Sequence, residues 1–192
     1  MPGFNTKAVV LKNYQFKDAD KIYTLLSENK GRISVIGKGV RKVTSRRAGS
    51  MDTLNNVIVH VDRHKSGILY LQEVKTISTY KTVKANDKLT NKAFYIIELI
   101  NRTTEEDEHA PKIYYLLVKT LDRLEENSEK ATLLVNKFEI QLMKLLGYQP
   151  PRTLLKKWKD EIENNKYEQA DKLLKGYVTE VLQEKMKSLE LE

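Results

Sequence analysis

The period of the hydrophobic pattern changes once along this chain, and that change narrows the available folds more than any other feature. Up to about Tyr80 the apolar residues come in short, β-branched runs. These are "TKAVVLKN" (6–13), "DKIYTLLSE" (20–28), "RISVIGKG" (32–39), "LNNVIVHVD" (54–62) and "ILYLQEVKTISTY" (68–80). In the fourth run Val57, Val59 and Val61 share one face while Ile58, His60 and Asp62 share the other, the two-residue repeat of a strand. Turn residues in "ENKG", "GKG" and "RHKSG" separate the runs, as strand connections require. Five such strands predict a small barrel or sandwich. The common five-stranded solution is the OB-fold, a partly open Greek-key barrel that takes oligonucleotides on strands 2 and 3 and the adjoining loops.

From about Ala85 the spacing becomes helical. Leu89, Ala93, Ile96, Ile97 and Ile100 form one stripe, the pattern of an amphipathic helix. "EEDEHAPK" (105–112) breaks it with acids that suit the positive end of the next helix, and Pro111 fits a first helical position. That helix continues through Ile113, Leu117, Leu121 and Leu124. Ser128 is placed to cap a third helix, which buries Leu134, Phe138, Leu142 and Leu145 and stops at Gly147, before two prolines. Leu154, Leu155, Trp158 and Ile162 mark a fourth, and Tyr167 to Lys187 a fifth. The expected architecture is therefore α+β in two domains. Residues 1–80 form an OB-fold nucleic-acid-binding domain, and residues 81–192 an all-helical domain for partner binding and structural support.

Charge is distributed unevenly between these halves. Residues 1–80 carry 14 Lys+Arg against 6 Asp+Glu, which accounts for the whole net charge of +8. The excess peaks in "KGRISVIGKGVRKVTSRRAGS" (30–50), where Lys30, Arg32, Lys38, Arg41, Lys42, Arg46 and Arg47 occur without an intervening acid. A solvated loop mixes signs, whereas a seat for phosphates concentrates one. These seven are the candidate nucleic-acid-binding cations, and Lys12, Lys17, Lys21, Arg63 and Lys65 extend the set. Nothing in the cluster reads bases, so the binding expected is sequence-independent and salt-sensitive. Single strands also need aromatic platforms. Tyr14, Phe16, Tyr23 and Tyr70 lie in the right half, and Tyr14 and Phe16, in a polar connection, are the candidates carried forward.

Other chemistries lack support. With no cysteine there is no disulfide, thiolate zinc site or Cys nucleophile. No P-loop, GxGxxG, HExxH or nucleophile elbow occurs. "HVDRH" (60–64) offers two His and an Asp but no fourth ligand. Neither a catalytic residue, a metal nor a cofactor is expected. No run has the length and apolarity of a membrane span or signal peptide, and a cytoplasmic, nucleoid-associated protein is the expectation. "RTLLKKWK" (152–159) sets Trp158 among Arg152, Lys156, Lys157 and Lys159. It is a candidate partner site for an acidic tail ending in an apolar residue, set against a buried Trp on a helix with an outward basic face.

One family fits these residues. "TKAVVLKNYQFKDADKIYTLLSENKGRISVIGKGVRKVTSR" resembles the start of the bacterial RecO family of DNA repair and recombination mediators. The family pattern T-x-A-[IV]-V-L falls on Thr6–Leu11, its acidic-Asp-Lys element on Asp20 and Lys21, G-[KR]-[IL] on Gly31–Ile33, and K-G-x-[RK]-[RK]-x-x-S-[RK] on Lys38 to Arg46. "LLGYQP" (145–150) matches a motif of the family's helical domain. The resemblance implies an N-terminal OB-fold followed by helices, binding of single- and double-stranded DNA, and annealing of complementary strands. It also implies contact with the acidic C-terminal tail of the single-strand-binding protein SSB, and partnership with RecR in loading the recombinase onto SSB-coated strands. Many members place a four-Cys zinc module after the L-L-G-Y stretch. This chain has "QPPRTLLKKWKDEIENNKYEQA" there, so no zinc is carried over. A non-enzymatic DNA-binding mediator is thus the first reading. An adaptor docking an acidic protein partner and an RNA-binding OB protein are the alternatives.

Overall fold

The structure, a computed structural model, describes residues 3–40, 49–106 and 108–189, with side chains up to 183. Five strands come first: β1 (Phe4–Phe16), β2 (Asp20–Ser27), β3 (Gly31–Gly37), β4 (Asn56–Arg63) and β5 (Leu69–Ser78). They close into a barrel in the order β1-β2-β3-β5-β4, with β4 returning to β1. All neighbours are antiparallel except β3 and β5. This is the OB-fold arrangement expected from the sequence. Alternation explains the closure: Ala8, Val10, Tyr23, Leu25, Ile33, Val35, Val57, Val59, Val61 and Leu71 fill the interior together. Tyr23, an aromatic in the right half for stacking, is one of these core residues.

β1 outruns its apolar stretch. Tyr14 and Phe16, expected in a polar connection, belong to the strand because β2 supplies partners for them, Tyr14 opposite Ile22 and Phe16 opposite Asp20. A register shift between Val10 and Lys12 turns the strand, as bulges do. Around it Val10 enters the barrel while Val9 and Leu11 pack against the helices.

Among the described residues six α-helices follow: α1 (Lys81–Ala85), α2 (Asp87–Thr103), α3 (Pro111–Glu126), α4 (Ala131–Leu145), α5 (Arg152–Glu163) and α6 (Tyr167–Leu189). The short α1 went unread in the sequence. The Glu125 carboxylate holds its first turn by accepting from the backbone N–H groups of Thr82 and Val83, each at 3.0 Å. Pro111 opens α3. Ser128 does not cap α4 through its side chain; it begins a 3-10 turn, Ser128–Lys130, from which α4 continues. Gly147 ends α4 at φ 85°. Its N–H donates to Lys144, and that of Tyr148 to Met143, the paired bonds of a Schellman stop that a side chain would strain.

The barrel and the helices share a core. Val9, Leu11, Leu26 and Leu54 belong to the cluster that contains Ile96, Ile100, Leu117, Leu121, Phe138 and Leu142. Each of the four barrel residues is at most 1% exposed, and a side chain buried to that degree contributes about 1.5–3 kcal/mol. Polar bonds add registration. Tyr114 donates to Asn56 Oδ1 at 3.2 Å, the Arg32 guanidinium to the Asn101 carbonyl at 2.7 Å, and Tyr115 to the Glu28 carboxylate. The helices therefore pack against one side of the barrel, while among the described residues Tyr14 and Ile68 leave another face exposed.

Candidate nucleic-acid interface

The uncovered face carries a row of side chains set by strand register. Tyr14 faces Ile22, Ile22 faces Ile36, and Ile36 faces Tyr70. The neighbours Tyr23 and Val35 point inward to the core, so the row itself points outward. Four strands thus present two aromatics and two isoleucines in one line. Tyr14 is 50% exposed, and Ile68, in the turn before β5, is 43% exposed. Both line a cleft of about 300 Å³ together with Ile22, Ile36, Ser34, Arg32, Arg63 and Glu106.

Cations border the row. Lys38 holds its ammonium 4.4 Å from the centroid of the Tyr70 ring, and the His64 ring meets Tyr70 edge-on at 6.1 Å. Lys17 lies 5.3 Å from the Phe16 ring. Lys21 donates to Asn13 Oδ1 at 3.0 Å. A cation beside an aromatic face pairs a phosphate contact with a base-stacking surface. The sequence left Tyr70 out of its candidates; its register opposite Ile36 was the missing information, and it follows from the parallel β3–β5 pairing.

The described cations of the run, Lys30, Arg32 and Lys38, are not one cluster in space. Lys30 lies in the β2–β3 turn, with its ammonium 5.8 Å from the Phe4 ring, and Lys38 follows the far end of β3. A strand of that length separates them by roughly 20 Å. Arg32 ties β3 to the end of α2 through Asn101, and its Nε is buried without a hydrogen-bond partner. Arg41, Lys42, Arg46 and Arg47 lie outside the described residues. Their flanks are fixed: Asp20 Oδ1 accepts the Gly39 N–H at 2.8 Å, and Val40 is buried in the barrel core. Gly39 and Val40, the last described residues before the basic segment, are thus held by the barrel.

"HVDRH" resolves into local pairs. His60 contacts Asn5 Oδ1 at 2.8 Å through Nδ1 and Asp62 at 3.5 Å through Nε2, while His64 Nδ1 meets the Ser66 hydroxyl. Among the described residues no group of three His, Cys, Asp or Glu is placed to hold a metal ion, and no helix is long and apolar enough to cross a membrane.

The helical half has its own concavity. A groove of about 600 Å³ between α3, α4 and α5 has Leu116, Leu134, Phe138, Ile140, Leu155 and Trp158 on its floor. Lys119, Arg123, Lys137 and Lys159 line it as well, and no carboxylate does. Of the five residues singled out in "RTLLKKWK", only Trp158 and Lys159 reach this groove; Arg152, Lys156 and Lys157 are exposed elsewhere on α5. Trp158 is 8% exposed, so it is a wall and not a protruding anchor. The spacing of Lys119 and Arg123, four apart on α3, was the sequence signal for the opposite rim.

A buried polar chain fixes that wall. The Trp158 indole donates to Asn136 Oδ1 at 3.1 Å, and the Asn136 amide donates to Asp171 at 2.8 Å and to Glu139 at 3.2 Å. Tyr95 donates to the other Glu139 oxygen at 2.5 Å. Burial pushes the Glu139 carboxyl up to about 7, against the opposing pull of the Tyr95 and Asn136 bonds.

Comparison with known proteins agrees with this geometry. Residues 1–80 match the family model described as "Recombination protein O N terminal", and residues 92–153 match "Recombination protein O C terminal". Proteins named DNA repair protein RecO are similar along most of the chain. That of Dehalococcoides mccartyi is 31% identical over 147 residues, covering 77% of this chain and 57% of the relative. That of Thermoanaerobacter sp. is 28% identical over 145 residues, covering 76% and 58%. That of Bacillus cereus is 27% identical over 146 residues, covering 75% and 57%. The chain therefore spans less than two thirds of the length of these relatives. With both family models matched in order, one over the closed barrel and the other over the helices behind it, the chain belongs to the RecO family.

Proposed function

We propose that this protein acts in DNA repair as a non-enzymatic recombination mediator. It holds single- and double-stranded DNA without sequence preference and promotes the annealing of complementary strands. The observation that carries this reading is the outward row Tyr14–Ile22–Ile36–Tyr70, bordered by Lys38 and Arg63. Stacked rings hold bases in a sequence-tolerant way. Cations neutralise phosphates and so reduce the repulsion between two strands while their bases pair. The names of the relatives support the repair setting.

The helical groove supports the partner half of the reading. An apolar floor with a basic rim suits the acidic C-terminal tail of SSB, whose charges would meet Lys119, Arg123, Lys137 and Lys159 while an apolar end enters beside Trp158 and Phe138. Recruitment to SSB-coated strands, followed by cooperation with RecR in recombinase loading, is the role that this pair of surfaces serves. The test is annealing of complementary oligonucleotides by the wild-type chain and by a variant with Arg41, Lys42, Arg46 and Arg47 all changed to Glu. Annealing by the first and its loss in a normally folded variant supports the reading. Equal rates in both remove the basic segment from the mechanism.

A further inference from the structure

The α2–α3 loop is the most acidic stretch in the chain's helical half, and it leans on the barrel instead of projecting into solvent. Two backbone contacts seat it. Glu106 forms an isolated parallel bridge with Arg32 at the start of β3. Gly31, at φ 65°, lies so close to the loop that a Cβ on it would stand 1.7 Å from the Glu108 carbonyl oxygen. The seating delivers the Glu106 side chain to the uncovered face, where its carboxylate accepts the Ser34 hydroxyl at 2.7 Å. There it lines the same cleft as Tyr14, Ile36 and Arg63. A carboxylate inside a basic, aromatic-edged cleft is at odds with a surface that only collects phosphates, because like charges brought together there repel.

Resting on the nucleic-acid reading above, we propose that Glu106 stands in for a phosphate at the side of the barrel's nucleic-acid track and marks its boundary toward the helices. Ser34 lies two residues from Ile36 on β3, so the carboxylate flanks the row Tyr70, Ile36, Ile22 and Tyr14, where a strand lying on it would turn a phosphate toward Ser34. The Ser34 hydroxyl it occupies is a donor that such a phosphate would otherwise find. The device weakens binding at the barrel's helical border, which favours release of a strand once it has paired.

The experiment compares wild type, Glu106→Gln and Glu105→Gln by fluorescence anisotropy with labelled oligo(dT) across salt. Gln keeps a carbonyl for the Ser34 hydroxyl, so the loop stays seated. Glu105 loses the same charge from the adjacent position, on the cleft that faces α3 and α4. The proposal expects E106Q to bind roughly threefold or more tightly at low salt and to steepen the salt dependence by about 0.7. It also expects E105Q to stay close to the wild type. If wild type binds and E106Q matches E105Q, the boundary is wrong while the interface stands. If the wild type binds no oligonucleotide, both are wrong.

Discussion

Lys38 holds its ammonium 4.4 Å from the centre of the Tyr70 ring, so a cation from the end of β3 and an aromatic from β5 form a single contact surface. The two should separate in solution. Tyr70→Ala and Tyr14→Ala each remove a stacking platform worth about 1–3 kcal/mol per base. Single-strand affinity should fall roughly 5- to 150-fold with the salt dependence little changed. Lys38→Gln should instead lower the slope of log affinity against log salt by about 0.7. Anisotropy titrations with oligo(dT) at several salt concentrations distinguish these results.

Glu139 makes the helical half sensitive to pH. It faces Tyr95 from α2, Asn136 on its own helix and Asp171 from α6, while Lys92 and Lys175 stand nearby. Its carboxyl is raised to about 7 in the folded protein from 4.5. The folded state therefore holds a proton that the unfolded state has released between those values, and stability falls as pH rises through that window. The full effect is about 3 kcal/mol. Glu139→Gln should lose this dependence, so the variant gains on the wild type from pH 5 to about pH 7 and the difference levels off above it. Urea midpoints across that range measure it; parallel curves would show that burial does not hold the proton.

Two glycines should respond to alanine with opposite sign. Gly31→Ala strains a positive φ and drives a methyl into the Glu108 carbonyl, which should destabilise by about 1–3 kcal/mol and loosen the α2–α3 loop. Gly176 lies within α6, and a methyl added there would meet nothing within 4 Å, so Gly176→Ala should stabilise by up to about 1 kcal/mol. Chemical denaturation reads both, and a neutral Gly31→Ala would deny the close seating of the loop.

The helical groove should be separable from the barrel. Changing Lys119 and Arg123 to Glu reverses two charges on its rim. Binding of an acidic peptide with an apolar C-terminus should weaken at least roughly tenfold, while oligo(dT) affinity stays within a factor of two or so. Calorimetry with the peptide and anisotropy with the oligonucleotide make the comparison. Equal loss of both ligands would mean that the two surfaces are one.

Strand alternation made the barrel legible, because its interior is filled by every second residue of runs such as Val57, Val59 and Val61. Gly147 and Pro111 marked their helix ends correctly for the same local reasons that hold in the structure. What escaped the sequence depended on register and on distant partners. Tyr14 and Phe16 looked like loop residues until β2 supplied the strand opposite them, and Tyr70 joined the row only through a parallel neighbour more than 30 positions away. Arg32 read as one more cation in a run, yet its bond runs to Asn101 on α2. Trp158 read either as an anchor beside its lysines or as a buried Trp under an outward basic face; it is buried, and Asn136 on another helix holds it as the wall of a groove.

The most direct measurement is photo-crosslinking of a bromodeoxyuridine oligonucleotide to the wild-type chain, followed by mass spectrometry of the attached peptides. The account predicts adducts on the barrel's open face, at Tyr14, Tyr70 and the peptides beginning at Lys38. Adducts confined to the helices, with those barrel peptides recovered unmodified, would contradict it.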